Sequence, residues 1–286
     1  MIHIPKSFMG NPIEGSLQRI LKGSSVTEEK NSDRNLEESP SPTIKNPENY
    51  ILLPAKKYDD FTYEDCFISM YRLTADSQTL AAAQQRGLSI ANTAQEKNGR
   101  EYIGNINWFG ALSLVDTLEG FVLDLRQFAD FLALLQSGNA VDGNNRTIKR
   151  NILATILEEI SKVRSPYRGE WLDADFKVKN NELYINSGHT LKNGHLEPLY
   201  SEKLEPCLME NDNVALSSFN KQGLPTQSGS DFYYWKPVPD NTSVARFGVN
   251  SVRAGLDCNG HPQNSDGSLG VRLCLSKARA NFVGVK

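Results

Sequence analysis

The stretch that decides the fold lies near the carboxyl end and reads Phe232-Tyr-Tyr-Trp235, then Asp240-Asn-Thr-Ser-Val-Ala-Arg-Phe247, then Leu269-Gly-Val-Arg-Leu-Cys274. Around these pieces the chain is rich in glycine, asparagine, proline and serine. Short apolar runs between turn-forming residues predict short strands joined by irregular loops. The last third of the chain is therefore predicted to be loop-rich β structure with little helix.

Two hairpins are predicted before this stretch. Apolar residues alternate at 176–178 and 183–185 around the pair Asn180-Asn181, and a second turn is expected at Asn193-Gly194. The Asn-Gly pair readily adopts the positive φ angles of a type I′ turn. The β character thus extends back towards Pro166, which also prevents a preceding helix from continuing.

The first half of the folded part carries helical signals, and together with the strands they predict an α+β fold. Asp76 stands where an N-cap residue belongs, and Gly87 stands where a helix-ending glycine belongs. Apolar stripes at helical spacing mark the two later helices. The predicted elements are strands at 50–54 and 66–73 and helices at 76–87, 124–138 and 147–163.

Residues 1–48 differ in composition from the remaining chain. From Lys22 to Tyr50 the sequence is dominated by Ser, Glu, Asn, Lys and Pro, which bury too little apolar surface to offset the entropy of ordering. We predict a flexible polar segment over residues 1–48 and one folded domain over residues 49–286. A short apolar set precedes the polar run and fits either a docking helix or, as favoured here, a partly ordered tail: Ile13, Leu17, Ile20 and Leu21.

Composition argues against several classes of protein. The 286 residues carry a formal net charge of −3, so no nucleic-acid partner is expected. No apolar run approaches the roughly 18 residues of a membrane-spanning helix, so no membrane insertion is expected. The first residues, Met1-Ile-His-Ile-Pro-Lys6, lack the apolar core of a signal peptide.

Residues suited to catalysis or metal binding are scattered. The four cysteines, at positions 66, 207, 258 and 274, form no C-x-x-C pair and are expected to be free thiols. His189 and His195 flank the predicted Asn193-Gly194 turn and are expected to be surface loop residues. His261 lies in a segment, 257–267, that superficially resembles a calcium loop. That segment departs from the EF-hand pattern at the positions of the required glycine and glutamate.

The sequence allows both a functional and a structural role for two carboxylates and for a group of large side chains. Asp173 and Asp175 would point the same way on a strand, as an acid–base pair does, but the solvated start of a strand is the favoured interpretation. Aromatic and arginine residues cluster as they do at interfaces, and are equally usual in an irregular β core: Arg164, Tyr167, Arg168, Trp171, Tyr233, Tyr234 and Trp235. No catalytic residue, metal or cofactor is predicted.

The opening stretch resembles the end of a formylglycine-generating-enzyme-like domain of C-type-lectin type, whose final strand carries a Gly-(Phe/Val)-Arg element. It is more similar still to the variable proteins of diversity-generating retroelements, in particular an archaeal or archaeal-virus branch. The segments 126–138, 163–176 and 207–209 fit that branch too. The resemblance spans residues 50–276.

This resemblance implies a lectin-type scaffold with extra helices and a variable region at about residues 240–275. In such systems reverse transcription copies errors at template adenines into the gene, and the resulting NNY codons never encode Lys, Glu, Gln, Met or Trp. Residues 248–267 contain no Lys, Glu, Met or Trp, and their single Gln is Gln263. The candidate variable positions are Gly248, Val249, Asn250, Val252, Gly255, Asp257, Asn259, Gly260, His261, Asn264, Asp266 and Gly267.

Two interpretations of these positions remain. They are either a diversified ligand surface held by buried anchors, namely Phe247, Leu256, Leu269 and Val271, or ordinary turn residues. The candidate positions include no aromatic residue. Additional scaffold contacts to the ligand are therefore expected from Tyr233, Tyr234 and Trp235.

The resemblance implies a binding protein without enzymatic activity, calcium or another cofactor. The expected partner is a protein or a surface glycan, and the expected state is a cytoplasmic or virion-associated monomer. One alternative is a formylglycine-generating oxidase, which needs a metal-binding cysteine pair near the carboxyl end. Cys258 and Cys274 are the candidates for that pair, although their spacing does not match it. The other alternative is a virion or cell-surface attachment module with a fixed partner.

Overall fold

The computed structural model describes residues 46–279 and, through their backbone alone, the segments 7–8, 11–12, 43–44 and 281–282. The chain divides into two units, residues 1–40 and 41–286. In the first unit, Ser7–Phe8 pairs antiparallel with Asn11–Pro12. The remainder of the predicted flexible segment 1–48, including the apolar set from Ile13 to Leu21, lies largely outside the described residues.

Four α-helices lie within residues 46–279, and their bounds are α1 Ser77–Gln85, α2 Trp108–Thr117, α3 Leu125–Ser137 and α4 Arg150–Ser161. The three predicted helices are confirmed. Asp76 caps α1 by accepting the Thr79 N–H. Asp124 caps α3, and Gly138 ends it at φ 67°.

Two details of the helices differ from the prediction. Helix α4 begins three residues later than predicted, because Thr147 forms a β-bridge with Val141. Helix α2 was not predicted. Most of its residues are buried, so it has no polar face and shows no apolar stripe.

The strands are short apart from one. Short 3₁₀ helices at Pro47–Asn49 and Lys277–Arg279 flank the domain. In chain order the strands are β1 Ser7–Phe8, β2 Asn11–Pro12, β3 Thr43–Ile44, β4 Tyr50–Leu53, β5 Lys56–Tyr58, β6 Phe61–Tyr63, β7 Cys66–Arg72, β8 Asn92–Gln95, β9 Glu101–Ile103, β10 Arg168–Lys179, β11 Glu182–Ser187, β12 Thr190–Lys192, β13 His195–Glu197, β14 Tyr200–Lys203, β15 Asp212–Val214, β16 Phe232–Trp235, β17 Val244–Val249, β18 Ala254–Gly260, β19 Leu269–Gly270, β20 Arg272–Ser276 and β21 Asn281–Phe282.

One eight-stranded sheet organises the domain. Seven of its strands follow the order β14-β11-β10-β17-β18-β16-β15, and β19 pairs with β10 off this path. The pairs are antiparallel except β16–β18 and β10–β19, which are parallel. A second sheet has the order β20-β7-β4. A mixed α+β fold is thereby confirmed.

Both predicted hairpins are confirmed. Strands β10 and β11 turn at Asn180 and Asn181, which have φ angles of 52° and 60°. Strands β12 and β13 turn at Asn193 and Gly194, with φ angles of 52° and 83°. Positive φ at both central residues is the requirement of a type I′ turn, which explains why the asparagine and glycine signals predicted the turns correctly.

Helices cover both faces of the large sheet, but only in part. On one face, Phe128 of α3 packs against Phe247 of β17 with ring centroids 5.2 Å apart. On the other face, Trp171 of β10 is buried in the cluster that contains α2, and its indole donates a hydrogen bond to the Ile106 carbonyl. The predicted anchors Phe247, Leu256, Leu269 and Val271 are all buried. The candidate site described next lies on the Trp171 face, over strands β16, β17 and β18.

Candidate functional site

A cavity of about 770 Å³ opens on this face of the sheet. Its volume is within the range of sites that bind small ligands. The lining side chains are mostly polar, with two aromatic rings among them. They are Tyr167, Trp235, Arg246, Gly248, Asn250, Arg253, Gly255, Asp257, Asn259, Asn264, Ser265 and Asp266.

Strand alternation places these residues on one face. In β17, Phe247 and Val249 are buried while Arg246 and Gly248 line the cavity. In β18, Leu256 and Cys258 point into the core, while Gly255, Asp257 and Asn259 line the cavity. Successive side chains of a strand point to opposite faces of the sheet. The buried anchors and the residues that line the cavity therefore alternate along β17 and β18.

Three glycines lie side by side beneath the cavity, and we call them the glycine row: Gly169, Gly248 and Gly255. Gly169 pairs with Gly248, and Gly248 pairs with Gly255. A Cβ on Gly248 would lie 2.7 Å from Tyr167 Oη. A Cβ on Gly255 would lie 2.8 Å from the Tyr233 carbonyl oxygen and would also collide with the Trp235 ring. The missing side chains therefore make room for the two aromatic rings of the cavity.

An ion pair lies beside the glycine row. Arg246 Nε and Nη2 are 2.9 and 2.8 Å from Asp257 Oδ2, across the β17–β18 pairing. Asp257 Oδ1 also accepts the backbone N–H of Asn259 at 3.0 Å. The Arg246 and Asp257 side chains are 22% and 14% exposed, so the pair is held by the protein yet reachable from the cavity.

The turn between β17 and β18 forms one edge of the site. Asn250 Oδ1 accepts the backbone N–H groups of Val252 and Arg253 at 2.8 and 2.9 Å. The Arg253 guanidinium lies over the Tyr233 ring, 4.5 Å from its centroid. Val252 is 70% exposed at the tip of the turn.

The loop between β18 and β19, residues 261–268, forms the opposite edge and is fixed through its backbone. Its carbonyl oxygens at Pro262 and Asp266 accept N–H groups of Trp108 and Asn105, each at 3.0 Å. The Gly267 carbonyl accepts the Thr93 hydroxyl at 2.6 Å. These backbone contacts hold the loop in place without the side chain of Asn264, which makes no hydrogen bond among the described residues.

The segment 162–167 forms the third edge, and sequence reasoning did not assign it to the site. The buried Arg168 guanidinium donates to four backbone carbonyls, those of Glu159, Lys162, Arg164 and Pro166. The Arg164 N–H donates to the Asn250 carbonyl at 2.9 Å, which ties the segment to the turn. Tyr167 is thereby held over the glycine row, and burial raises the pKa of its hydroxyl.

Seven of the candidate variable positions line the cavity, namely Gly248, Asn250, Gly255, Asp257, Asn259, Asn264 and Asp266. Outside the lining, Val252 and His261 are exposed and Gly267 is partly exposed. Val249 and Gly260 are buried, so their assignment as ligand contacts is corrected. Their burial follows from strand alternation.

Of the scaffold contacts expected from β16, Trp235 lines the cavity and Tyr233 touches Trp235 at its side, with ring centroids 4.7 Å apart. Tyr234 is fully buried and is corrected from a ligand contact to a core residue. Sequence reasoning also missed Arg246, Arg253 and Ser265 as lining residues. Arg246 could have been found, because it lies two residues before Gly248 on the same strand.

His189, Asp173 and Asp175 form a buried polar cluster, which contradicts the predicted surface loop and solvated strand start. His189 Nδ1 is 2.5 Å from Asp173 Oδ1, and its Nε2 is 3.6 Å from Asp175 Oδ1. Burial lowers the pKa of His189, but the hydrogen bond to Asp173 and the negative charges of Asp173 and Asp175 outweigh it and raise the pKa to about 9. The Trp108 ring packs edge-on against the imidazole. His195 is exposed, as predicted.

The two cysteines of the oxidase alternative do not fit a shared metal. Cys258 belongs to β18 of the large sheet, whereas Cys274 belongs to β20 of the smaller one. Both are fully buried, and burial raises the pKa of each thiol well above its usual range. A thiolate is the metal-binding form of cysteine, and burial disfavours it. Within residues 46–279, no three His, Cys, Asp or Glu side chains are grouped as a metal site.

In the part of the chain that the structure describes, no helix has the length and apolar character needed to cross a membrane. No protein-family model, no curated protein and no solved structure matches this chain.

Proposed function

We propose that this protein binds a ligand in the cavity over β16–β18, on a C-type-lectin-type scaffold whose surface is diversified by retroelement-templated adenine mutagenesis. The observation that carries the proposal is the convergence of seven candidate variable positions on one cavity of about 770 Å³. These seven positions come from strand β17, the turn that follows it, strand β18 and the loop between β18 and β19.

The composition of the lining supports recognition. Two aromatic rings, two arginines and several short amide and hydroxyl side chains line the cavity. Tyrosine, tryptophan and arginine are enriched where proteins bind partners. The ligand is proposed to be a protein or a surface glycan, bound by a monomer that is cytoplasmic or virion-associated.

A fixed attachment module is the second candidate, and a specific observation favours it. Three of the seven candidate variable positions in the lining use a side-chain oxygen to accept a backbone N–H. Asn250 accepts from Val252 and Arg253, Asp257 accepts from Asn259, and Asp266 accepts from Ser268. Residues with such a local role are costly to replace. In this alternative the same cavity binds one partner and its residues do not differ between copies of the gene.

Sequencing the DNA that flanks the gene separates the two candidates. Diversification predicts a nearby, almost identical copy of the segment that encodes residues 240–274, differing only where the copy has adenine. A reverse-transcriptase reading frame is expected beside it. A flanking region without any such repeat contradicts diversification and leaves the fixed attachment module.

A further inference from the structure

The glycine row divides the candidate variable positions by what each can tolerate. Gly248 and Gly255 have no space for a Cβ, because Tyr167 and Trp235 already occupy it. No side chain can be added at position 248 or 255 unless an aromatic ring or a strand moves. Adding atoms at a packed position without room destabilises the fold, because neighbouring rings or backbone must shift. NNY codons would permit changes at these two positions, but packing forbids them.

The lining positions that bond the backbone are restricted for a different reason. Asn250 and Asp266 each accept a backbone N–H of the turn or loop that contains them, and Asp257 accepts the backbone N–H of Asn259 within strand β18. Asp257 also neutralises Arg246. Replacing any of the three alters the shape of the site, and replacing Asp257 leaves a partly buried arginine without its carboxylate.

Asn259 and Asn264 are the remaining candidate positions of the lining. Both are exposed, and among the described residues neither side chain makes a hydrogen bond. Their backbone N–H groups are satisfied by Asp257 Oδ1 and by the His261 carbonyl. Side chains of many sizes are therefore compatible with these two positions, provided that the residue keeps its backbone N–H, which excludes proline.

We propose that the cavity has a constant floor and a changeable rim. The floor consists of Tyr167 and Trp235 seated on the glycine row, with the Arg246–Asp257 pair beside them, and it binds a neutral ring through an apolar face of that ring. The rim consists of Asn259 and Asn264, and it sets specificity. This inference rests on the proposed binding function and states which residues hold the ligand and which residues determine its identity.

The charges of the lining indicate what kind of ring the floor takes. Arg246 and Arg253 are balanced by Asp257 and Asp266, so the cavity carries no formal net charge. A neutral ring with hydrogen-bonding groups at its edge can donate to Asp257 and accept from Arg246. A saccharide ring and a phenolic side chain both have this chemistry.

Aligned copies of the gene test the division directly. The floor predicts that glycine persists at 248 and 255 in every copy, whereas positions 259 and 264 differ between copies. Copies that carry other residues at 248 or 255 overturn the constant floor while leaving diversification intact. If the locus holds one invariant copy, diversification fails, and the floor is decided by the measurements below.

Tryptophan fluorescence tests the seating of the rings. Of the three tryptophans, Trp108 and Trp171 are 2% and 1% exposed, so acrylamide quenching reports chiefly on Trp235. Gly255→Ala is expected to displace the Trp235 ring and raise its quenching. Gly267→Ala is the matched control, because its new Cβ would lie 3.6 Å from the nearest atom, Asn105 Oδ1, and outside the cavity. Equal quenching in both variants overturns the seating.

Two small probes test the binding role of the floor, each used with the full chain. Methyl glucoside represents a saccharide ring, and N-acetyltyrosinamide represents a phenolic side chain. At least one is expected to protect Trp235 from acrylamide, and Tyr167→Ala is expected to weaken that protection about tenfold or more. Asn259→Ser should alter the preference between probes but keep the protection. The better probe identifies the ring class. Failure of both probes, or protection that is unchanged in Tyr167→Ala, overturns the floor.

Discussion

Two polar clusters occupy different parts of the same sheet and differ in what surrounds them. The Asp173–His189–Asp175 cluster lies under Trp108 of α2, and its imidazole and Asp173 side chains are 4% and 3% exposed. The Arg246–Asp257 pair lies on a part of the sheet that none of the four described helices covers on this face, and its side chains face a cavity. Oppositely charged side chains thus stabilise the fold in the first cluster, whereas in the second they remain accessible to a ligand. Coverage by a helix makes the difference.

The largest expected effect comes from breaking the covered cluster. Asp173→Ala leaves the buried His189 ring and its backbone N–H without their carboxylate partner. Removing one partner of a buried ion pair typically costs about 3–5 kcal/mol. Urea unfolding should show a loss of this size. Asp257→Ala is the counterpart in the open pair, and a loss as large as that of Asp173→Ala would contradict the contrast between the clusters.

The pH dependence of stability should report the covered cluster next. The pKa of His189 is raised to about 9 in the folded protein, above its ordinary value of 6.5. Its stabilisation is therefore complete below pH 6.5 and is lost as the pH rises through about 9, a change on the order of 3 kcal/mol. Melting temperatures measured from pH 6 to pH 10 should fall in the wild type. His189→Gln should flatten that decline, and a decline unchanged in the variant would show that another group causes it.

A smaller effect is expected from Arg168, which holds an edge of the open site. Arg168→Lys replaces a planar donor group that serves four carbonyls with a single ammonium. Unmet buried hydrogen bonds of this kind cost on the order of 2 kcal/mol. Hydrogen exchange should accelerate in residues 162–167 and leave β10–β11 protected. Unchanged exchange in 162–167 would contradict the positioning role of Arg168.

The smallest effect on stability is expected at the rim. Asn259→Ser combined with Asn264→Ser removes no hydrogen bond of the described residues and should change the free energy of unfolding by less than about 0.5 kcal/mol. Calorimetry of the double variant beside the wild type measures this. A loss above 1 kcal/mol would show that these side chains support the loop and cannot serve as a changeable rim.

Local chemistry made part of the fold predictable. The Asn193-Gly194 turn, the Asp76 and Asp124 caps and the apolar stripes of α3 and α4 depend on residues close together in sequence. Helix α2 escaped prediction because it is buried on most of its circumference. The pairing of His189 with Asp173 escaped because it joins residues 16 apart across the β10–β11 hairpin.

The sequence by itself indicated short strands and turns towards the carboxyl end, but it did not separate the two faces of β17 and β18, so it placed the buried Val249 and Gly260 among the ligand contacts. It also marked most of the positions that converge on the cavity. Only the tertiary structure decided which face stays open, and that Tyr167 arrives there from the loop before β10. Helix coverage and the parallel pairing of β16 with β18 join segments far apart in the chain, and no local pattern encodes such contacts.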